Sequence, residues 1–279
     1  PEIAEKISPC DDENYVEGNL AKKISCAAKQ HQRYVVINLT TKAKCPDVDM
    51  IAQNDTRNCT RADGFSYYNT NVVFDRNGVV ISRYRKYNLF GESVDKPFKP
   101  TMVTFDTDFG VKFGHFICFD LMFRRPALEL VRTMEVTDII FPTMWFSEMP
   151  FLTAVQVQQH WAHSNNVNLL ASGANNPQVG STGSGIYAGN KGALVEVMNG
   201  NDETKLYTAT VPKINFPGNE NLVIRHDIVR YTKEEMKRLF LKRDQLDRYE
   251  IRYLEDSDGE HSVGGNFCQN GVCCDYNLN

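Results

Sequence analysis

The stretch Lys112-Phe113-Gly114-His115-Phe116-Ile117-Cys118-Phe119-Asp120 places a cysteine at the end of an apolar run. The pattern over residues 111–117 favours a buried strand. Arg125-Pro126 then predicts the start of a helical stretch, because proline fits a first helical turn, where the missing N–H has no partner to lose. A thiol at such a turn can act as a nucleophile, with backbone N–H groups beside it for an oxyanion. Alone, the pattern also fits an ordinary small buried cysteine.

A second informative stretch lies upstream of the cysteine: Arg85-Lys86-Tyr87-Asn88-Leu89-Phe90-Gly91-Glu92. Its Lys86 precedes Cys118 by 32 residues (118 − 86). Separately, Lys86 and Glu92 are typical surface charges. Amide hydrolysis needs a nucleophile, a proton shuttle and a positive charge where the oxyanion forms. We therefore predict that the Cys118 thiolate forms a thioester, and that Lys86 and the backbone N–H of Phe119 stabilise the oxyanion. This chemistry requires no metal and no cofactor.

A Cys–His pair is the alternative arrangement, with His115 or His160 as the base. His115 lies three residues before Cys118 on the same predicted strand, and neither histidine comes with a matching Asn or Asp motif. The sequence favours the lysine and a carboxylate.

Composition excludes several classes of protein. The chain has 279 residues, with 31 basic and 35 acidic side chains, which argues against a nucleic-acid partner. No apolar run is long enough to predict a membrane span, and Tyr276-Asn277-Leu278-Asn279 is not an anchor signal. Pro1-Glu2-Ile3 does not resemble a signal peptide, and we expect that residues precede it.

Cysteines and glycosylation sequons predict a secreted or cell-surface protein. Cys45 and Cys59 bracket a polar segment that a disulfide would close, and Cys268, Cys273 and Cys274 are further disulfide candidates, since no zinc-type ligand set accompanies them. Three Asn-x-Ser/Thr sequons are candidate glycosylation sites: Asn38, Asn54 and Asn58.

Alternating apolar runs and helical stretches predict an α/β protein in which helices cover a mixed sheet. The Asn77-Gly78 pair predicts a hairpin between residues 71–74 and 79–84. Further predicted strands are 34–39, 102–105, 111–117, 137–142, 167–172, 193–198 and 205–211, and predicted helices are 127–134, 153–165 and 233–248. We assign residues 1–211 to a catalytic domain. Residues 212–279 form a charged extension, either the end of that domain or the start of a second one.

These motifs resemble the nitrilase superfamily of carbon–nitrogen hydrolases, and within it the vanin and biotinidase branch. The resemblance covers about residues 10–211 and the last cysteine cluster, and it implies an αββα sandwich with a Glu–Lys–Cys triad. The motifs that carry it are Tyr84-x-Lys86-x-Asn88-Leu89-Phe90-Gly91-Glu92, Thr104-Phe105 with Phe109-Gly110, Cys118-Phe119-Asp120, Phe141-Pro142-Thr143-x-Trp145, Trp161-Ala162, Leu170-Ala171-Ser172 and Thr182-Gly183-Ser184-Gly185-Ile186-Tyr187.

In this family the triad glutamate ends an early strand, usually after an apolar residue and proline. No predicted strand precedes Pro1-Glu2, so the resemblance implies that the triad glutamate is not in this chain. The family's first strand and helix, and its C-terminal domain, are then expected to be missing too. Glu92 matches the family's second glutamate, which supports the lysine and shapes the pocket.

The resemblance further implies a small-molecule amide substrate, with pantetheine first and a biotin amide as the alternative. A catalytically inactive paralogue or fragment with a binding role is the alternative from another class, because the triad glutamate is expected to be absent. Trp145, Phe146 and Tyr187 are candidates for the pocket wall, although ordinary core aromatics would give the same pattern. The analogy with the family implies a homodimer that pairs through the helix after the cysteine.

Overall fold

The structure is a computed structural model that describes residues 7–16, 18–59, 61–214, 232–248, 263–269 and 271–278. By its contacts the chain divides into two compact units, Pro1–Lys242 and Arg243–Asn279. The predicted domain boundary at residue 211 stays a prediction. No helix in the described part is both long enough and apolar enough to cross a bilayer.

A three-stranded antiparallel sheet in the order β1-β2-β3 comes first along the chain. Its strands are β1 Val35–Lys44, β2 Phe65–Phe74 and β3 Val80–Arg85. The predicted hairpin between β2 and β3 is confirmed, with Gly78 in the left-handed region at φ +75°. A side chain there would also collide with the Ser25 carbonyl oxygen, 2.5 Å from an added Cβ. Helix α1, Leu20–His31, buries Ala28 in the cluster that covers this sheet.

The second sheet has six strands in the order β10-β9-β8-β6-β5-β4. Its strands are β4 Thr104–Asp106, β5 Lys112–His115, β6 Asp138–Thr143, β8 Asn168–Gly173, β9 Ser184–Ala188 and β10 Ala193–Val197, and the short β7 is Glu148–Met149. Strands β5, β6 and β8 are parallel, so their carboxyl ends lie at one edge. Ile139, Phe141 and Leu169 are fully buried, as expected for strands covered on both faces.

The two sheets face each other, since Ser82 and Tyr84 of β3 contact His115 of β5. Helix α4, Ala154–Asn165, covers β8 and β9 and buries Trp161 and Ala162. Three shorter α-helices in the described residues are α2 Val48–Ala52, α3 Glu129–Arg132 and α5 Lys233–Lys237. The predicted α/β sandwich of two sheets with helices packed on them is confirmed.

Two predicted elements are wrong. Residues 205–211 form no strand, and Leu206, the first apolar side chain of that run, is 90% exposed instead of facing a core. The helix predicted over 233–248 ends at Lys237, and the short strand β11, Lys242–Arg243, follows. The chain leaves the helix because the Phe240 N–H bonds the Pro177 carbonyl at 3.0 Å.

The second unit contains a hairpin of β12, Val263–Gln269, and β13, Val272–Leu278. Cys268 and Cys273 are opposite each other in its register and form a disulfide.

Candidate active site

Cys118 follows β5 at the junction of strand and helix that the sequence predicts. Its backbone is left-handed, with φ +50°, and it begins a 3₁₀ turn, Cys118–Met122. The residue is 8% exposed, and its Sγ lies 3.4 Å from the Met144 carbonyl oxygen at the end of β6. The thiol therefore sits where the carboxyl ends of two parallel strands meet.

Asp120 fixes the turn that carries the Cys118 thiol. Its fully buried carboxylate accepts hydrogen bonds from the Ile117 N–H at 3.1 Å and the Tyr84 hydroxyl at 2.8 Å. It also accepts bonds from Asn88, through the backbone N–H at 3.0 Å and Nδ2 at 2.9 Å. Burial raises the pKa of Asp120, although these donors favour its charged form. From the sequence, Tyr84, Asn88 and Asp120 were recognised only as parts of motifs and were given no role.

Lys86 comes directly after β3 and is 2% exposed. Its Nζ forms an ion pair with Glu92 Oε1, and Glu92 also accepts hydrogen bonds from the Phe90 N–H and from Asn69 Nδ2. Burial alone would raise the pKa of Glu92, but the hydrogen bonds and the charge of Lys86 outweigh it and hold that pKa below its ordinary value. Glu92 is thus a fixed anion that holds the lysine.

One cavity of about 530 Å³ brings Cys118, Lys86 and Glu92 together. The ends of β6 and β8 form part of its wall, and Asn38 and Asn69 add amide groups. A smaller cavity of about 50 Å³ adjoins the same cysteine and is mainly apolar. Its aromatic lining residues are Phe90, Phe119, Trp145 and Phe146. The Cys118 thiol therefore borders both a polar and an apolar space.

The predicted pocket aromatics divide into two groups. Phe146 lines both cavities, and Trp145 lines the smaller one. The prediction for Tyr187 is wrong, because this side chain is fully buried in the core and its hydroxyl donates to Gln158 Oε1 at 3.0 Å.

Neither histidine is placed to act on Cys118. His115 is fully buried, and its Nε2 shares a 2.8 Å hydrogen bond with Ser82 Oγ. Burial lowers the pKa of His115 to about 3, so the ring is neutral at pH 7. His160 is exposed on α4. Neither residue lines the two cavities that contain the thiol.

Six of the eight cysteines are paired. The predicted Cys45–Cys59 pair is present, and Cys10–Cys26 adds a pair that sequence reasoning did not single out. Cys274, a disulfide candidate, is instead an exposed free thiol. It faces Phe267 in the hairpin register, whereas Cys273 takes the position opposite Cys268.

The three sequon asparagines lie in different surroundings. Asn54 and Asn58 are exposed in the segment closed by the Cys45–Cys59 disulfide. Asn38 lies on β1 in the wall of the larger cavity, and its Nδ2 donates to other asparagines. Asn38 is exposed too, but a glycan there would replace one of the amide hydrogens that these bonds use, so we expect none at Asn38. Glu2, set aside as the triad glutamate, lies outside the described residues.

The fold and the thiol–lysine–carboxylate site are those of a hydrolase acting on carbon–nitrogen bonds, and sequence comparison agrees. The sequence model "Carbon-nitrogen hydrolase" matches residues 2–212, and the chain belongs to this family.

Within the family, its relatives are those of the vanin and biotinidase branch. The chain is 43% identical to "Vanin-like protein 1" of Drosophila melanogaster over 286 residues, which cover 100% of this chain and 50% of that protein. It is 35% identical to "Pantetheinase" of Mus musculus over 269 residues, which cover 95% of this chain and 50% of that protein. It is 37% identical to "Biotinidase" of Homo sapiens over 182 residues, which cover 64% of this chain and 32% of that protein. The chain thus spans about half the length of these relatives, or less. A solved amidase from Nesterenkonia sp. has TM-score 0.48 and 16% identity, over 70% of this chain and 66% of that one.

Proposed function

We propose that the protein containing this chain hydrolyses a linear amide through Cys118, and that its substrate is pantetheine, cleaved to pantothenate and cysteamine. The observation that carries the proposal is the shared cavity of Cys118, Lys86 and Glu92. The identities to vanin-like proteins and to mouse pantetheinase support the choice of substrate.

The reaction follows from the chemistry of these groups. The Cys118 thiolate attacks the amide carbon, and the tetrahedral oxyanion forms next to the Lys86 ammonium and the Phe119 N–H. The carbon–nitrogen bond then breaks, and the proton taken from the thiol passes to the amine nitrogen. Water attacks the thioester, releasing the acid and restoring the thiol.

Glu92 does not carry the proton in this scheme. Its carboxylate already accepts three hydrogen bonds, and its pKa is below the ordinary value. A proton shuttle needs a pKa near the working pH, so Glu92 suits the role of counter-ion to Lys86. We assign the shuttle to a second carboxylate of the full-length protein, as the family resemblance implies.

The test uses the full-length protein, pantetheine and a measurement of free cysteamine by mass spectrometry. We expect release that is lost in Cys118→Ala, with an acyl adduct on Cys118 trapped after rapid acid quench. No cysteamine from a preparation whose Cys118 can be alkylated would refute the pantetheine assignment. Faster cleavage of biocytin than of pantetheine would instead favour the biotin-amide alternative.

A non-catalytic binding protein is the proposal from another class. It predicts no acyl adduct with either amide and slow alkylation of Cys118 by iodoacetamide. The three disulfides and the exposed sequons Asn54 and Asn58 are compatible with the extracellular location that we propose in either case. Whether the full-length protein is a homodimer stays a prediction.

A further inference from the structure

We infer that Asn38, Asn69 and Asn71 form a hydrogen-bonded bridge that positions the Lys86–Glu92 pair relative to the segment carrying Cys118. Asn38 is its central residue. This inference rests on the proposed amide hydrolysis for its kinetic consequence, but the geometry stands without it.

Strand register places the three asparagines on one face of the first sheet. Asn38 on β1 is directly opposite Asn71 on β2, and Thr40 is opposite Asn69. Side chains two positions apart on a strand point to the same face, and diagonal neighbours on adjacent strands are within reach of each other. Three polar amides are thereby brought together beside the larger cavity.

One end of the bridge holds the charged pair. The Lys86 N–H donates to the Asn69 carbonyl oxygen at 2.8 Å, and Asn69 Nδ2 donates to Glu92 Oε1 at 3.2 Å. Asn69 therefore contacts the backbone of the lysine and the carboxylate that holds its ammonium group. A change in the position of Asn69 would displace both members of the pair.

The other end holds the nucleophile's segment. Asn71 is fully buried, and its Nδ2 donates to the Phe116 carbonyl oxygen at 3.3 Å. Phe116 lies two residues before Cys118 and is also fully buried. The bond ties β2 to the chain just before the turn of the thiol.

Asn38 joins the two ends. Its Nδ2 lies 2.7 Å from Asn69 Oδ1, 3.2 Å from Asn71 Oδ1 and 3.4 Å from the Thr70 carbonyl oxygen. An amide nitrogen has two hydrogens, and the two shorter contacts go to its asparagine neighbours. Because Asn38 donates to both oxygens, the nitrogens of Asn69 and Asn71 are turned toward Glu92 and Phe116. The amide that the sequence marks for glycosylation is thus already used as a donor.

The expected effect of losing the bridge is kinetic. Displacing a catalytic cation by about 1 Å can lower the rate about 100-fold, even when the mutated residue does not touch the substrate. Asn38→Asp has almost the same shape but replaces the donor nitrogen by an oxygen that faces two other oxygens. We expect its kcat to fall by about 10- to 100-fold and its KM for pantetheine to change by less than about 3-fold.

Thr40→Ala provides the matched control. Thr40 is exposed on the same strand and completes the sequon Asn38-Leu39-Thr40, so this change removes the sequon and leaves the bridge. We expect wild-type kcat for T40A. An equal decrease in kcat in T40A and N38D would overturn the inference and indicate a glycan at Asn38.

The rate of Cys118 alkylation by iodoacetamide against pH gives a second readout, which needs no substrate turnover. We expect the midpoint of this profile to shift in N38D and not in T40A, because only N38D loosens the lysine that lines the same cavity as the thiol. If the wild type cleaves no pantetheine, the proposed substrate fails while this readout still tests the bridge. A folded N38D protein whose alkylation profile against pH matches the wild type would refute the bridge. If N38D does not fold, Asn69→Asp replaces it, since that change removes the donor to Glu92.

Discussion

Glu92 is the residue whose role the contacts define most sharply. Its side chain is 27% exposed and meets Lys86, whose side chain is 1% exposed. A buried ammonium group without a counter-charge is costly, so the pair gives a specific expectation for substitution.

We expect Glu92→Gln to lower the free energy of unfolding by about 2 kcal/mol, because it leaves the Lys86 charge buried and unpaired. The value of kcat should fall by at least about 100-fold, as the lysine is no longer fixed near the oxyanion. Urea unfolding and cysteamine release measure the two effects. Asp11→Asn serves as control, since the Asp11–Lys29 pair is exposed and solvent screens its charges. An E92Q protein with wild-type kcat would contradict this role.

At the scale of elements, His115 connects the two sheets. It belongs to β5 and shares its hydrogen bond with Ser82 of β3. Since burial lowers its pKa to about 3 in the folded protein, the unfolded chain binds a proton that the folded chain does not, from about pH 6.5 down to about pH 3.

The sign of this linkage fixes a pH dependence. Stability contributed by neutral His115 is present above about pH 6.5 and is lost as the pH falls, by up to about 1.4 kcal/mol per pH unit. We expect the difference in unfolding free energy between wild type and His115→Gln to shrink between pH 6.5 and pH 4.5. Urea titrations at several pH values measure it, and exposed His160→Gln is the control. If the unfolding free energies of wild type and H115Q changed in parallel with pH, the histidine would not be held neutral in the folded protein.

Elements with strong local signals could be predicted from the sequence. The Asn77-Gly78 turn and the apolar strand before Cys118 are such cases, since the hairpin turn and the hydrophobic pattern are set by nearby residues. The helix predicted over 233–248 failed because Phe240 bonds Pro177, a contact far along the chain. Asn69 and Asn71 were not predicted as site residues, again because distant contacts decide their role. Alternating polar residues on a strand predict a side that faces solvent, and only packing against the second sheet makes that side part of a site.

At the scale of the whole molecule, disulfides and sequons predict which surface is glycosylated. All three sequon asparagines are exposed, but Asn38 lies in the cavity wall and its Nδ2 donates to Asn69 and Asn71. We expect enzymatic deglycosylation in ¹⁸O water, followed by peptide mapping, to label Asn54 and Asn58 of protein expressed in insect cells and to leave Asn38 unlabelled. Unglycosylated protein expressed in bacteria is the blank for spontaneous deamidation. A label at Asn38 above that blank would contradict the placement.

The left-handed backbone at Cys118 restricts which nucleophiles this fold can use. A β-branched side chain is strongly disfavoured at φ +50°, whereas an unbranched one is tolerated at modest cost. Serine could therefore replace cysteine without disturbing the turn that Asp120 holds, but threonine could not. The turn thus excludes one of the three common hydroxyl and thiol nucleophiles through the shape of the main chain, before reactivity is considered.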